Sequence, residues 1–237
     1  MAQYEEIIKS LNSDEIYSYQ SLVSMVQEER PAYTVNACRW AVGDMVRDGD
    51  IIRLGYDAYS LPGDSRATYR PVYSEFATEV MRVIAKRFPM IRFVVFETVL
   101  MNEFLNHLIA NNTVFIQADK DATMFVFRFL QEKGYNNVMY NPPIKDFSLY
   151  WAENSIIVKP LISESPTVPS SPHNVCIEKL LVDMYCDKII RSTFSVAELP
   201  GVFSEAKRKY RIDRTKMMRY ARRRNKEDDI RKLIEDE

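Results

Sequence analysis

Residues 34–61 constrain the fold more than any other stretch, because a short amphipathic helix (TVNACRWAVGDMVRDG) runs straight into a hydrophobic hairpin (IIRLGYDAYSL). Val35, Cys38, Val42, Met45 and Val46 recur at three- and four-residue steps, which predicts one buried stripe. Thr34 is suited to cap the start, and Gly49 follows the last apolar position as a helix end requires. The opposite face carries Asn36, Arg39, Trp40, Gly43 and Arg47. This is how the recognition helix and wing of a winged helix-turn-helix look in sequence, and Asn and Arg are able to contact base edges bidentately. Trp40 is expected to pack beneath the wing rather than stack on a base, since a fully exposed Trp is uncommon.

Two helical stretches precede this unit. Residues 2–11 (AQYEEIIKSL) are followed by Asn12-Ser13-Asp14, where Ser13 or Asp14 is a natural cap or turn residue. Residues 19–28 place Leu22, Val23 and Val26 on one side, and Pro31 ends the run. Three helices and a wing match the compact helix-turn-helix topology, which also serves protein contacts alone. Charge argues against DNA: residues 1–61 hold five Lys/Arg against ten Asp/Glu, a formal charge of −5. Phosphate-binding surfaces are normally basic, although four of the five cations fall between Arg30 and Arg53.

The formal net charge of −1 hides an asymmetry. Eleven cations crowd residues 207–226 with Asp213 their only acid, a local charge of +10 that leaves −11 elsewhere. Lys216, Arg219, Arg222 and Arg223 are predicted to point outward from a helix over 213–224, with Met217, Met218 and Ala221 inward. Such a block is a solvated helix face, a polyanion or partner surface, or a dock for the acidic remainder of its own chain.

Between these ends, helix and strand alternate over 70–162. Residues 74–88 read as an amphipathic helix, 92–96 (RFVVF) and 113–117 (TVFIQ) as strands, 99–109 and 122–133 as helices, and 138–140 and 155–161 as further strands. The fold class is α/β (α+β): a winged helix over 1–68, an α/β domain with a small sheet over 69–165, and a helical C-terminal region over 166–237. The turn residues Pro62-Gly63-Asp64-Ser65 and the proline- and serine-rich segment 163–172 mark the joins. Helices are expected at 176–188, 204–210, 213–224 and 227–235.

An apolar share of 46 % argues for a folded chain, and no apolar run approaches the roughly 20 residues of a membrane helix. The start, MAQYEEIIKS, has acids where a signal peptide wants basic residues. Cys38, Cys176 and Cys186 are odd in number and widely spaced, which disfavours disulfides and zinc sites and fits a cytoplasmic setting.

Signatures of catalysis are thin. A nucleotidyltransferase wants a Gly-Ser turn before its paired carboxylates, and no Gly here precedes Ser. Asp119-Lys120-Asp121 has D-x-D spacing but sits where a strand ends and a helix begins, so capping is the plainer role than metal binding. A nuclease of the PD-(D/E)xK type needs an acid two residues before its Lys, where this chain has Ala118; Glu97 alone makes no site. His107 is expected inside a helix as a packed residue, and His173 in a loop. No cofactor is implied.

The order of blocks resembles a known family. NACRWAVGDMVRDGDIIRLGYDAYSL looks like the winged-helix half of AbiEi-like antitoxins, from type IV (abortive infection) toxin–antitoxin systems. FVVFETVLMNEFLNHLIANNTVFIQADKD, CIEKLLVDMYCDK and YRIDRTKMMRYARRRN resemble the C-terminal region of its single-chain members. The resemblance implies a bacterial regulator that binds promoter DNA, represses its own operon and counters a nucleotidyltransferase-type toxin without necessarily binding it. It marks Asn36, Arg39, Trp40 and Arg47, with Arg53 in the wing, as DNA-contacting positions. The wing departs from the family, which usually carries a basic residue and Gly near the tip where this chain has Tyr56-Asp57-Ala58; Asp57 would repel a phosphate. In CIEKLLVD, Lys179 and Asp183 read as a surface i,i+4 pair. The alternatives are a protein- or RNA-interaction module, or a metal-dependent nucleotidyltransferase-like enzyme around Asp119 and Asp121.

Overall fold

Side-chain caps and glycine-ended helices set the pieces of this chain. The computed structural model describes residues 4–12, 15–61, 66–168 and 170–235. The chain divides into two units, one formed by Met1–Thr68 with Lys209–Lys216, the other by Tyr69–Arg208 with Met217–Glu237. The expected turns at Ser13-Asp14 and Pro62-Gly63-Asp64-Ser65, and the start of the first helix, lie outside the described residues.

In the first unit, α1 (Glu5–Ser10), α2 (Tyr19–Glu29) and α3 (Val35–Arg47) precede the antiparallel pair β1 (Ile52–Gly55) and β2 (Ala58–Ser60). Ser18 caps α2 by accepting from the Ser21 N–H at 3.0 Å, and Thr34 caps α3 by accepting from Ala37 at 3.2 Å. α3 stops where Gly49 takes φ +81°: the Asp50 N–H reaches the Met45 carbonyl at 2.9 Å, which closes a Schellman turn. Tyr17 pairs with Tyr59 through two backbone bonds of 2.8 and 2.9 Å, so a third short extended segment lines the hairpin. Leu22, Val23 and Val26 meet Cys38, Ala41, Val42 and Met45 in the core. Val35, expected on that stripe, is 56 % exposed. At about 100° per residue the stripe centres on Cys38 and Met45, which leaves Val35 and half-buried Val46 on its flank and brings Ala41 in. The order of elements is compatible with a winged helix.

The second unit is built on a four-stranded sheet. Its strands are β3 (Phe93–Glu97), β4 (Thr113–Ala118), β5 (Val138–Tyr140) and β6 (Ser155–Pro160), in the order β3-β4-β6-β5. β3 runs antiparallel to β4, while β4, β6 and β5 are parallel. β4 is buried along its whole length, as a strand covered on both faces must be. Val114, Ile116 and Ala118 face α4 (Glu75–Arg87) and α5 (Thr123–Glu132), sharing a core with Val80, Ile84, Val126 and Leu130. The alternate residue Gln117 faces α7 (Ile177–Cys186), and helices α8 (Lys188–Arg191), α9 (Leu199–Lys209), α10 (Arg214–Arg223) and α11 (Glu227–Glu235) follow.

Three helical expectations change. Residues 99–109 form only a 3-10 turn, Thr98–Glu103, because Asn102 bonds the Ile109 N–H and carbonyl at 2.7 and 3.0 Å and diverts the backbone. The helix over 176–188 breaks at Asp187, whose carboxylate caps α8 through the N–H groups of Ile189 and Ile190. An additional helix, α6 (Ile144–Tyr150), begins after Pro143. No described helix is long and apolar enough to cross a membrane.

Glu97, fully buried at the end of β3, holds α4 to the sheet. It accepts from the Ser74 N–H at 2.6 Å, the Ser74 hydroxyl at 2.7 Å and the Asn112 amide at 2.6 Å, while Ser74 Oγ caps α4. Glu97→Ala strands these donors in an apolar interior, and we expect it to cost roughly 2–4 kcal/mol, read as a lower urea midpoint.

Candidate nucleic-acid interface

The buried stripe of α3 fixes which side chains its other face presents. Asn36, Arg39, Trp40, Gly43 and Arg47 are all exposed, Trp40 at 76 %. The expectation that Trp40 packs beneath the wing is therefore overturned. It is the Tyr19 ring that packs against Tyr59 of the hairpin, with centroids 6.2 Å apart. Tyr19, Arg39, Trp40, Gly43, Asp44 and Arg47 enclose a cleft of about 390 Å³. Tyr19, which sequence reasoning did not assign, forms one wall and donates its hydroxyl to the Arg39 carbonyl at 3.3 Å. An added Cβ at Gly43 would meet nothing within 4 Å, so the cleft is open there.

The cations of this face are not equivalent. Arg47 is held by Asp44 at 2.8 Å and Asp48 at 3.2 Å. Arg39 is exposed and has no carboxylate partner among the described residues. Arg53 donates to the Gly55 carbonyl at 3.1 Å and lies 6.0 Å from the Tyr59 ring centroid, on the exposed side of the hairpin. Asp57 at the tip (φ +52°) accepts the Tyr19 N–H at 2.7 Å. Its charge thus serves the α2 N-terminus, where a carboxylate is stabilising.

The basic block behaves as a self-neutralising helix pair more than as a bare cationic face. Lys216 pairs with Asp213 at 3.3 Å, Arg214 with Glu15 at 3.0 Å, Arg208 with Glu205 at 2.7 Å and Lys226 with Asp229 at 2.9 Å. Arg222 grips Glu227 through two bonds, of 2.6 and 2.9 Å, and Arg223 bonds the Ser163 hydroxyl. Arg219 is exposed with no ion pair among the described residues. Tyr220 joins Met217 and Ala221 on the buried side, and Met218 is only half-buried.

Lys179 and Asp183 form the predicted i,i+4 pair at 2.7 Å, but neither is on the surface: both are 0 % exposed. Asp183 also accepts from the Gln117 amide at 3.1 Å, the Tyr220 hydroxyl at 2.8 Å and Arg224 Nη1 at 3.1 Å. Lys179 spends its other protons on Gln117 Oε1 at 2.6 Å and the Tyr220 oxygen at 3.0 Å. Burial alone would raise the Asp183 carboxyl, yet Lys179 and Arg224 outweigh it and hold the group down at about 2. Nearby, burial pushes the Lys159 ammonium down to about 7; Asp183 opposes that shift, Arg224 and Lys179 add to it, and direct contact with Asp187 favours the charged form at neutral pH.

The remaining chemical candidates are tied to structural tasks. Asp119 accepts the Arg92 N–H at 3.1 Å and pairs with its guanidinium at 3.4 Å. Among the described residues no cluster of His, Cys, Asp and Glu is arranged to hold a metal. His107 lies outside any helix, is exposed and faces Glu198 at 3.1 Å, which corrects its expected place in a packed helix. His173 stacks on Phe93 with centroids 3.9 Å apart.

Residues 37–237 match the model of a family of unknown function, DUF6577, and the chain belongs to that family. No curated protein gives a significant match.

The pH dependence of the buried cluster is specific. Because the folded carboxyl of Asp183 sits at about 2, below its ordinary 3.8, its contribution is fully present above pH 4 and is lost as pH falls through 2. We expect about 2 kcal/mol of stability to disappear over that window in the parent chain. Asp183→Asn should lack this acid dependence and start out less stable at pH 7 by roughly 3–5 kcal/mol, since it leaves two buried cations unmatched. Urea unfolding across pH measures both.

Proposed function

We propose that this DUF6577 member is a DNA-binding regulator whose α3 enters the major groove. The observation that carries the proposal is the exposed face of α3, where Asn36, Arg39 and a 76 %-exposed Trp40 face solvent and Arg39, Trp40 and Arg47 line an open cleft. Solvent-facing Trp on a small rigid unit is costly unless a partner covers it. Arg39 and Arg53 supply phosphate contacts, and Asn36 reads a base edge. Arg47 joins them only by exchanging Asp44 and Asp48 for phosphate.

The resemblance to AbiEi-like antitoxins supports a finer reading: a cytoplasmic, bacterial autoregulator of a toxin–antitoxin operon that binds promoter DNA and counters a nucleotidyltransferase-type toxin. The chain then acts by binding, with no catalytic step of its own. One observation favours a rival: the carboxylates on Arg47 lower the cationic character of the face, which suits an apolar protein partner seated on Trp40.

The two readings part in mobility-shift titrations on duplex DNA from upstream of the chain's own gene. Under DNA binding, Arg39→Ala weakens binding on every sequence and lowers the salt slope by about one unit. Asn36→Ala costs about 1–3 kcal/mol on the preferred sequence alone. If the Arg39→Ala, Arg47→Ala double variant keeps both affinity and slope, α3 is not the reader.

A further inference from the structure

A further cleft belongs to neither the α3 face nor the basic helix. It lies between α4 and the end of α5 in the second unit, with a volume of about 810 Å³. Lys86, Arg87 and Lys133 converge on it, and none of the three has a carboxylate partner among the described residues. Arg82 is spent on Glu79 through two bonds, of 2.9 and 2.7 Å, which leaves Glu132 as the one uncommitted acid of the lining. Outside residues 207–226 the chain carries a net −11, so a locally cationic groove runs against the trend of the surrounding sequence.

The apolar wall is ordered. The Arg87 guanidinium lies 5.2 Å from the Phe88 ring centroid, Phe88 meets Phe129 edge-on at 5.4 Å, and the Lys133 ammonium lies 5.8 Å from the Phe129 centroid. Tyr135 closes the groove because α5 ends in a Schellman turn: Gly134 takes φ +87°, and the Tyr135 N–H returns to the Leu130 carbonyl at 3.1 Å. The Tyr135 ring rests edge-on against Phe76 at 6.1 Å. Half-buried rings flanked by unpaired cations are the two ingredients of sequence-tolerant binding to single strands, in which bases stack and phosphates are neutralised.

We propose that this groove binds single-stranded nucleic acid, taking phosphates on Lys86, Arg87 and Lys133 and a base against Phe129 and Tyr135. An acidic peptide would use the cations but leave the aromatic wall idle. The site is independent of α3, so duplex reading and single-strand binding are separable.

The test is fluorescence anisotropy of the full chain with a labelled oligo-uridine 20-mer and a mixed-sequence DNA single strand, each titrated from 50 to 200 mM salt. The expected result is binding that weakens with salt. A Lys86→Gln, Arg87→Gln, Lys133→Gln variant should lose at least tenfold in affinity and about two units of salt slope, three phosphates on a single strand contributing about 0.7 each. All three side chains are exposed, so folding should survive, and far-UV circular dichroism checks it. Phe129→Leu, which keeps an apolar wall without a ring, should weaken binding with the slope unchanged. Arg39→Ala should leave single-strand binding intact. The proposal is overturned if no single strand binds at 50 mM salt, if the triple variant binds like the parent, or if polyglutamate competes as well as unlabelled oligo-uridine.

Discussion

One carboxylate joins the sheet of the second unit to the helices on its far face. Asp183, without solvent, collects donors from β4 (Gln117), from its own helix α7 (Lys179), from α10 (Tyr220) and from Arg224 just beyond it. Every partner is committed in return: Lys179 reaches Gln117 and Tyr220, and Arg224 also touches the Tyr220 hydroxyl at 3.4 Å. A buried ion pair is weak evidence for stability, since desolvation offsets most of the attraction. Its effect lies in orientation: the bonds from Tyr220 and Arg224 to Asp183 tie the most cationic helix of the chain to α7 with its apolar stripe inward.

That placement changes the meaning of the charge asymmetry. Eleven cations in twenty residues suggest a polyanion dock, but Arg224 is consumed in the buried cluster, Lys216, Arg222 and Lys226 by local acids, and Arg214 by Glu15. Exposed ion pairs are individually weak and exchange readily, so this surface still attracts anions at low salt. It offers few unpaired cations at fixed geometry. The groove beside α4, with three of them and an aromatic wall, is better organised for a polyanion despite its plainer sequence.

Much of the fold was legible because it rests on local rules. Thr34, Gly49 and Gly134 act as helix punctuation, and β5 falls where β-branched and aromatic content placed it. The misses are physical as well. Residues 99–109 have helical spacing, but Asn102 competes for the backbone. Lys179 and Asp183 have the spacing of a surface pair, which says nothing of exposure; they occupy the arc of α7 that its apolar residues leave open, and only the packing of the other elements buries that arc as well. The α3 face was readable residue by residue, whereas Trp40 was misplaced because a general burial preference does not decide where one side chain points. Tyr19 and the Arg47 clamp depend on distances that no spacing encodes.

Whether α3 is a DNA reader is settled most directly by fluorescence anisotropy of the full chain on labelled duplex from upstream of its own gene. A scrambled duplex of equal composition runs alongside, and both are titrated from low to physiological salt. Sequence-selective binding that falls steeply with salt is the predicted result. Equal, weak binding to both duplexes, or affinity indifferent to salt, would contradict it and turn the exposed Trp40 face over to a protein partner.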